Sequence, residues 1–220
     1  YSQRSEPFSI ANQIYLKEPA QMAMNFLNTL KADQPGIDGF PELGGFHDTD
    51  RLLSRYSSSI TLLTYGLSET LAYTQTPWVS DSYMQELKDN LEYAVQYLLK
   101  MQDMDGAVMG AVRRDPDIYP HKLDPKESKI PWVIDRYKGY EINAQSIAAL
   151  AHAAKALKST NPQLADQALH TAKRSYRWLK QQKMGFKTSD LGNTLWALAS
   201  LAMATGENEF LQDARLLTQE

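Results

Sequence analysis

Residues 141–158, EINAQSIAALAHAAKALK, decide the fold class of this 220-residue chain. Ile147, Leu150, Ala154 and Leu157 recur at spacings of three and four, which places them on one face of a helix. Because the residues between them are mostly alanine, another helix can approach this one closely. The segment therefore predicts a helix that packs tightly against its neighbours.

The same helical spacing continues on both sides of this segment. It predicts six more helices, over residues 19–33, 51–74, 81–102, 162–179, 191–204 and 209–217. Ser80 can cap one of them, Pro162 suits a first turn, and Gly206 can end another. Most helices come in pairs with about forty residues per pair, which is typical of stacked helical hairpins. We therefore predict an all-α toroid of helical hairpins, with an ordinary helical bundle as the alternative.

The composition is that of an ordinary globular protein. Hydrophobic residues make up 43% of the chain, charged residues 22%, and the net charge is −3. No apolar run approaches the roughly 18 residues of a membrane helix, so no membrane partner is predicted. The basic residues are scattered, which argues against nucleic acid as a partner. The absence of cysteine excludes disulfides, thiol catalysis and cysteine-bound zinc.

Three segments fall outside the helical pattern. Residues 1–18 predict a linker or a short extended lead-in to the helical domain. Residues 33–50 form a loop with four glycines, and a loop of this length inside a compact domain is more often functional than not. Residues 107–138 predict a second long irregular segment, which carries four prolines together with Trp132 and Tyr137.

The first loop contains the stretch Gly44-Gly45-Phe46-His47-Asp48-Thr49-Asp50. The glycine pair allows a sharp turn that can present the following residues to a cleft. In one interpretation Asp48 or Asp50 caps a helix that begins near Arg51, because a short side-chain oxygen can accept the free amide hydrogens of a first turn. In the other, one aspartate is a general base and its partner positions a water for hydrolysis of a glycosidic bond. The spacing alone does not decide between them.

Four segments, in order along the chain, resemble the bacterial glycoside hydrolases of family nine, which include endoglucanases and exo-glucosidases. They read PFSI and IY within residues 7–15, GGFHDTD at 44–50, YLLKMQ and DGAV within 97–108, and NTLWALA and ATG within 193–206. The second is similar to the family's Gly-Gly-Trp-His/Tyr-Asp-Ala-Gly/Ser-Asp motif. The other three resemble the family's domain entry, a helix ending in Leu-Leu-Lys-Met-Gln before Asp-Gly-Xaa-Val, and a later Leu-Trp-Ala-Ala helix before Ala-Thr-Gly.

The resemblance implies a fold, a reaction and a location. The fold is an (α/α)6 toroid of twelve helices, of which residues 19–220 would form about half, the N-terminal half of a catalytic domain. The reaction is inverting hydrolysis of a β-linked glucan or related β-glycoside, so the expected partner is an oligo- or polysaccharide. Family members of this kind are secreted or periplasmic, although a cytoplasmic location also agrees with the sequence.

The resemblance also implies roles for named residues. Asp50 matches the family's base, which activates water, and Asp48 matches the partner that orients the water. His47, Trp132 and Tyr137 are candidate sugar contacts, since aromatic faces stack on the apolar faces of pyranose rings. An alternative for Trp132 is a loop anchor packed on the rim of the toroid.

Two features depart from the family's pattern. The aspartates of the motif stand three residues apart in the family but only two apart in Asp48 and Asp50, which would shift the base by up to about 3.5 Å. In addition, none of Glu207, Glu209 and Glu220 lies in a segment that matches the family's acid glutamate. An inverting glycosidase needs such an acid opposite its base.

Calcium is the one metal that the resemblance allows, near the helix at residues 141–158. There Glu141 and Gln145 replace the family's acidic pair, and the loss of a charged oxygen ligand weakens such a site. Residues 103–106, Asp-Met-Asp-Gly, begin like a calcium loop but lack its later ligands, and they predict a plain turn. The sequence therefore predicts no cofactor and no metal site.

Two further functions stay open on the sequence. A non-catalytic carbohydrate-binding or scaffold protein that keeps the toroid is favoured by the short aspartate spacing and by the missing acid. A lyase or epimerase of uronic acids needs tyrosine, histidine or arginine around a carboxylate. The residues that could supply such a set are Arg55, Tyr56, His121 and Arg136.

Overall fold

The computed structural model describes residues 14–33, 40–48, 54–73, 80–114, 131–183 and 188–219. Within these ranges lie seven α-helices: α1 (Ile14–Thr29), α2 (Ser57–Tyr73), α3 (Asp81–Lys100), α4 (Tyr140–Leu157), α5 (Pro162–Leu179), α6 (Thr188–Thr205) and α7 (Asn208–Leu217). A small antiparallel sheet has the strand order β1 (Arg55–Tyr56), β2 (Ala111–Arg114), β3 (Trp132–Asp135). The predicted all-α class is confirmed.

The helices are arranged in two layers. Helix α4 packs against both α2 and α6, so these three helices form one layer. The other layer consists of the helices that follow them in the chain, with α3 packed on α2, α5 on α4 and α7 on α6. Alternation between an inner and an outer layer is the pattern of a toroid built from helical hairpins, and it replaces the alternative of an ordinary bundle.

Helix α4 is the centre of the packing because its side chains are small. Eleven of its residues are buried, six of them alanines, and buried positions occur nearly all round the helix. A helix that is apolar all round is enclosed by neighbours, in agreement with its contacts to the four helices α2, α3, α5 and α6. A polar contact joins it to α2, where Thr61 Oγ1 lies 3.0 Å from Ser146 Oγ.

The helix boundaries follow local signals where the sequence has strong ones. The Ser80 hydroxyl accepts a 3.2 Å hydrogen bond from the Tyr83 amide at the start of α3. The Asn161 side chain accepts one of the same length from the Leu164 amide at the start of α5. Gly206 follows α6 with a φ of +74°, a conformation that suits glycine at a helix end. These three predicted boundaries are confirmed.

The start of α2 differs from the prediction. The sequence predicts a helix from residue 51, but α2 begins at Ser57 because Arg55 and Tyr56 pair as a strand with Val112 and Ala111. The second irregular segment likewise contains strands β2 and β3 at its two ends, and residues 115–130 lie outside the described part. Sheet partners distant in sequence supply these backbone hydrogen bonds, and local periodicity does not report them.

The N-terminal boundary also differs. Helix α1 already begins at Ile14 and contains Pro19, where the sequence predicts a lead-in up to residue 18 and a helix from Pro19. Helical backbone at positions 14–18 therefore replaces the end of the predicted extended piece. Residues 1–13 lie outside the described part of the chain, and the division between a lead-in and a catalytic domain stays a prediction.

The sheet lies at the end of the molecule where two inner helices begin. The Ser57 amide, at the start of α2, donates to the Gly110 carbonyl at 2.9 Å. Buried Asn143, in the first turn of α4, accepts a 2.7 Å hydrogen bond from the Val108 amide and donates to the Gly139 carbonyl at 2.9 Å. Residues 108–110 thus join the first turns of α2 and α4, and the loop around residues 40–48 reaches the same end.

Candidate functional site

The glycine pair of the first loop is required by close packing against α3. Gly44 and Gly45 have φ values of +67° and +92°, which side chains of L-residues rarely tolerate. A Cβ atom on Gly45 would lie 2.6 Å from the ring of Tyr97, and one on Gly44 would lie 3.1 Å from the ring of Tyr93. The sharp turn predicted from the sequence is present, and two tyrosines of α3 fix its position.

A buried arginine binds the same loop from the other side. Arg55 has no exposed surface, and its Nη1 donates to the carbonyl oxygens of Gly44 at 2.7 Å and Phe40 at 3.2 Å. The Arg55 carbonyl in turn accepts a 3.0 Å hydrogen bond from the hydroxyl of Tyr97. Burial raises the pKa of Tyr97 to about 12, against the opposing effects of hydrogen bonds and the Arg55 charge, so this hydroxyl stays a donor.

Asp48 presents a carboxylate at the start of α2. Its amide donates to the Ser54 carbonyl at 2.8 Å, and its Oδ1 accepts a 2.7 Å hydrogen bond from the hydroxyl of Ser59. The side chain is exposed. Among the described residues the partner of this carboxylate is the Ser59 hydroxyl, and α2 begins only at Ser57. A capping role for Asp48 near Arg51 stays a prediction.

Asp50, the predicted base, lies outside the described residues, as does Arg51, where the sequence predicts the start of a helix. The described residues on either side of it define the ends of its segment. The Asp48 amide and the Ser54 carbonyl are joined by a backbone hydrogen bond of 2.8 Å. The catalytic roles of both aspartates stay predictions.

His47, a predicted sugar contact, is largely enclosed. Only 8% of the residue is exposed, and its amide donates to the Leu30 carbonyl at 2.8 Å. Phe46 forms a bridge with Lys31, and the Ala32 amide donates to the Gly45 carbonyl at 2.9 Å. The segment that follows α1 thus holds His47 in place beside the exposed Asp48.

The two predicted aromatic contacts lie at opposite ends of β3. Trp132 is half-buried, and the guanidinium of Arg114 lies 4.3 Å from its ring centroid, so one face of the ring is covered. Tyr137 follows the strand and is 66% exposed. The strand between them spans about 10 Å at 3.3 Å per residue. A sugar contact at Tyr137 and an anchoring role at Trp132 are the assignments that these surroundings favour.

Gly110 lies between the backbone of Tyr137 and the first turn of α2. The Gly110 carbonyl accepts from the Ser57 amide, and a Cβ atom on Gly110 would lie 3.1 Å from the carbonyl oxygen of Tyr137. Ser59, two residues into the same turn, holds Asp48. The structure therefore brings Asp48 and Tyr137 to the same end of the molecule through α2 and residue 110, although the sequence separates them by 89 positions (137 − 48).

A charged cluster lies near this end, at residues 103–106, where the sequence predicts only a turn. The turn is present, since the Gly106 amide donates to the Asp103 carbonyl at 3.0 Å. Lys138 lies 2.7 Å from Asp103 Oδ2 and 2.8 Å from Asp105 Oδ2. Its hydrogen bond holds the pKa of Asp103 below the ordinary value, while both aspartates raise the pKa of Lys138. Burial raises the pKa of Asp105, but hydrogen bonds from Lys138 and the Ala107 amide bring it below the ordinary value.

The residues near the start of α4 do not fit a calcium site. The Oε1 atom of Glu141 lies 3.3 Å from the amide nitrogen of Gln145 and 3.5 Å from that of Asn193. Two amide groups thus approach one oxygen of the carboxylate, where calcium would need additional charged oxygens. Within the described ranges, no group of three or more His, Asp and Glu side chains could hold a metal ion.

A groove along the inner layer was not predicted from the sequence. It encloses about 490 Å³ and lies between α2, α4 and α6. His152 Nδ1 lies 2.6 Å from Glu69 Oε1, and the ring of Tyr65 meets the rings of His152 and Trp196 edge-on at 4.8 and 4.9 Å. The four side chains lie on three helices, so only their packing brings them together.

Each of the described helices is too short or too polar to cross a bilayer.

The two-layer helices and the loops at their rim define an (α/α)-toroid protein with an acidic loop at the end where α2 begins. The chain belongs to glycosyl hydrolase family 9, whose family model matches residues 32–220. It is 28% identical over 143 residues to Endoglucanase D of Acetivibrio thermocellus. That match covers 57% of this chain and 22% of the relative, so the chain spans well under half the relative's length. The resemblance seen in the sequence is confirmed.

Solved structures show the same fold. An endoglucanase from the termite Nasutitermes takasagoensis has a TM-score of 0.75 at 16% identity, over 96% of this chain and 55% of that one. Endoglucanase CelQ from Clostridium thermocellum, complexed with cellotetraose, has a TM-score of 0.66 at 22% identity, over 91% and 36%. A metagenome-derived family 9 endoglucanase has a TM-score of 0.67 at 20% identity, over 80% and 35%. This partial coverage agrees with about half of an (α/α)6 barrel.

Proposed function

We propose that this chain acts in the inverting hydrolysis of a β-linked glucan or a related β-glycoside. The observation that carries the proposal is the exposed carboxylate of Asp48, which Ser59 orients beside the start of the inner helix α2. Asp48 belongs to the aspartate loop, residues 44–50, which lies within the part of the chain that the family model matches. The names of its relatives support the substrate class, since Endoglucanase D is named for cutting a glucan and CelQ was complexed with cellotetraose.

The proposed chemistry assigns one role to each aspartate. Asp50 takes a proton from a water molecule, and the water oxygen attacks the anomeric carbon as the glycosidic C–O bond breaks. Asp48, held by Ser59, accepts a second hydrogen bond from that water and sets its direction of attack. The leaving oxygen takes its proton from a second carboxylic acid on the other side of the bond, as inversion requires.

The proposed substrate contacts are Tyr137 and His47, whereas Trp132, with one ring face under Arg114, is proposed as the anchor of β3. Tyr137 is the most exposed of these and offers a ring on which a pyranose can stack. His47 lies next to Asp48 in the chain and presents 8% of its surface. A secreted or periplasmic location belongs to the same proposal, because a structural β-glucan polymer would be met outside the cytoplasm.

A second candidate function is carbohydrate binding without hydrolysis. It is favoured by the distance of two positions between Asp48 and Asp50, compared with three in the family's motif. One residue fewer moves backbone by up to about 3.5 Å, whereas catalytic groups tolerate displacements of about 0.5 Å. If the rest of the loop compensates for this shift, the chain hydrolyses its substrate. If it does not, the chain keeps only a surface that binds carbohydrate.

Reducing-sugar release from a panel of β-glucans and aryl β-glycosides separates the two functions. We expect hydrolysis by the unsubstituted chain, its loss in Asp50→Asn and a strong reduction in Asp48→Asn. Asp166→Asn, on the exposed face of α5 in the outer layer, is the matched control and should retain full activity. Binding to a glucan in affinity electrophoresis without sugar release would establish the second function. The absence of both from the folded chain would refute the proposal.

A further inference from the structure

Lys138 forms the two shortest described ion pairs between the segment before α4 and the turn after α3. It precedes α4 and lies within 2.8 Å of both carboxylates of the turn after α3. The lysine and Asp103 side chains are only 24% and 22% exposed, so solvent screens this pair less than an ordinary surface pair. Arg136 also faces Asp103, but at 4.0 Å and with 73% of its side chain exposed.

Both carboxylates are oriented before they meet the lysine. Asp103 Oδ1 accepts from the Met104 amide at 2.8 Å, and Asp105 Oδ1 accepts from the Ala107 amide at 3.1 Å. Their Oδ2 atoms are then available to Lys138. Each aspartate therefore uses one oxygen for the turn and the other for the ammonium group, so the turn orients both carboxylates toward Lys138.

The neighbour of Lys138 is the exposed Tyr137. The Tyr137 amide donates to Asp135 Oδ1 at 3.0 Å, and Asp135 Oδ2 binds Arg113 at 2.7 Å. The tyrosine ring lies over Gly139, where a Cβ atom would be 3.0 Å from Cε1. The backbone of Tyr137 is thus held on its N-terminal side by the sheet and on its C-terminal side by Lys138, while its ring stays 66% exposed.

An exposed aromatic ring on a backbone that is held on both sides suits the binding of a sugar. Stacking on a pyranose requires the ring to stand in one orientation, and ordering it in advance removes an entropic penalty on binding. An unsupported exposed tyrosine would lose rotational and backbone freedom each time that a ligand binds. The ion pairs of Lys138 supply that order to the segment.

We propose that Lys138 is a positioning residue, which clamps Asp103 and Asp105 and thereby fixes Tyr137 as a preformed platform for a glucan chain. The inference rests on the proposed function, because it assigns a sugar to the platform. Lys138 itself touches no substrate in this scheme and acts through Tyr137.

The test compares four variants in binding to a mixed-linkage β-glucan and in amide hydrogen exchange over residues 135–139. Lys138→Met should weaken binding about threefold or more, as expected for the loss of partly exposed ion pairs, and should speed exchange of the Tyr137 amide. Lys138→Arg should restore both, because the charge is kept. Arg136→Met, the neighbouring control, should leave both unchanged, and Tyr137→Ala should weaken binding at least as much as Lys138→Met.

The outcomes separate this inference from the proposed function. If Lys138→Met binds like the unsubstituted chain while Tyr137→Ala does not, the clamp is refuted and the proposed function stands. If the unsubstituted chain binds and cuts no glucan, the proposed function fails and the platform fails with it. Should Lys138→Met not fold, Asp105→Asn removes one of the two contacts and should give a smaller loss of affinity, and unchanged affinity there would refute the clamp.

Discussion

The Nη1 atom of Arg55 donates a 2.7 Å hydrogen bond to the carbonyl oxygen of Gly44, and the whole arginine is buried. Eleven positions separate the two residues, and the proposed base Asp50 lies between them. The bond ties the start of the aspartate loop to strand β1, which follows it. The position of the aspartate loop therefore depends on the buried, positively charged side chain of Arg55.

Replacing Arg55 by methionine should destabilise the chain by at least about 2 kcal/mol, because buried hydrogen bonds to a charged donor contribute about 1.5–3 kcal/mol and their carbonyl acceptors would be left in the interior. Urea unfolding followed by circular dichroism measures the free energy of unfolding. Arg177→Met, at an exposed position of α5, is the control and should change it by less than about 0.5 kcal/mol. Equal effects of the two substitutions would contradict the role of Arg55.

Gly45→Ala should destabilise the chain by about 2–3 kcal/mol, because the residue has a φ of +92° and the new methyl group would lie 2.6 Å from the ring of Tyr97. Gly66→Ala is the matched control within α2, where no atom lies within 4 Å of the added Cβ. There we expect a gain of about 0.5–1 kcal/mol, since glycine is unfavourable inside a helix. Thermal unfolding measures the change in stability of both variants. A Gly45→Ala chain as stable as the unsubstituted one would show that the loop can move away from α3.

The raised pKa of Tyr97 predicts that the folded chain loses stability at alkaline pH. Its folded pKa is raised to about 12 from the ordinary 10, so the neutral hydroxyl stabilises the fold fully below pH 10, and this contribution is lost as the pH rises toward 12. Tyr97→Phe should therefore show a shallower decline of the unfolding free energy between pH 10 and 12. A decline remains because burial also raises the pKa of Tyr176.

The same Tyr97→Phe variant should lose about 1 kcal/mol at pH 7, because the hydrogen bond to the Arg55 carbonyl is removed. Urea titrations at pH 7, 10 and 11.5 give both the loss of unfolding free energy at pH 7 and its decline above pH 10. An unchanged slope above pH 10 would mean that this hydroxyl ionises as easily in the folded chain as in the unfolded one.

Ser59→Ala tests whether the orientation of Asp48 matters for hydrolysis. The substitution removes the 2.7 Å hydrogen bond to Oδ1 and should lower kcat on a β-glucan by about 10- to 100-fold, the range expected for a displacement of about 1 Å in a catalytic group. Ser58→Ala, one position earlier in the same turn, is the control and should retain activity. Because the Ser59 side chain is exposed, stability should change little, and a loss of activity that follows unfolding would count against the role of Ser59.

The functional part of the chain was only partly visible in the sequence. The loop at residues 44–50 was recognised by its family motif, and exposed Asp48 lies where that motif predicts an active carboxylate. The Ser59 contact, the burial of His47 and the Arg114 side chain over Trp132 were not predicted, because each depends on which segments meet in the folded chain. The clamp on Lys138 joins residues 33 or more positions apart and has no local signature.

The sequence by itself determined the helices α3 to α7, because a helix is built from contacts three and four residues apart and its ends are set by adjacent caps such as Ser80 and Asn161. Only the tertiary structure decided that Arg55 and Tyr56 form a strand rather than the start of a helix, since their hydrogen-bond partners lie more than fifty positions away. It also decided which polar groups surround the aspartate loop. Contacts between distant segments form only when the helical layers have packed, and packing selects among the conformations that local sequence allows.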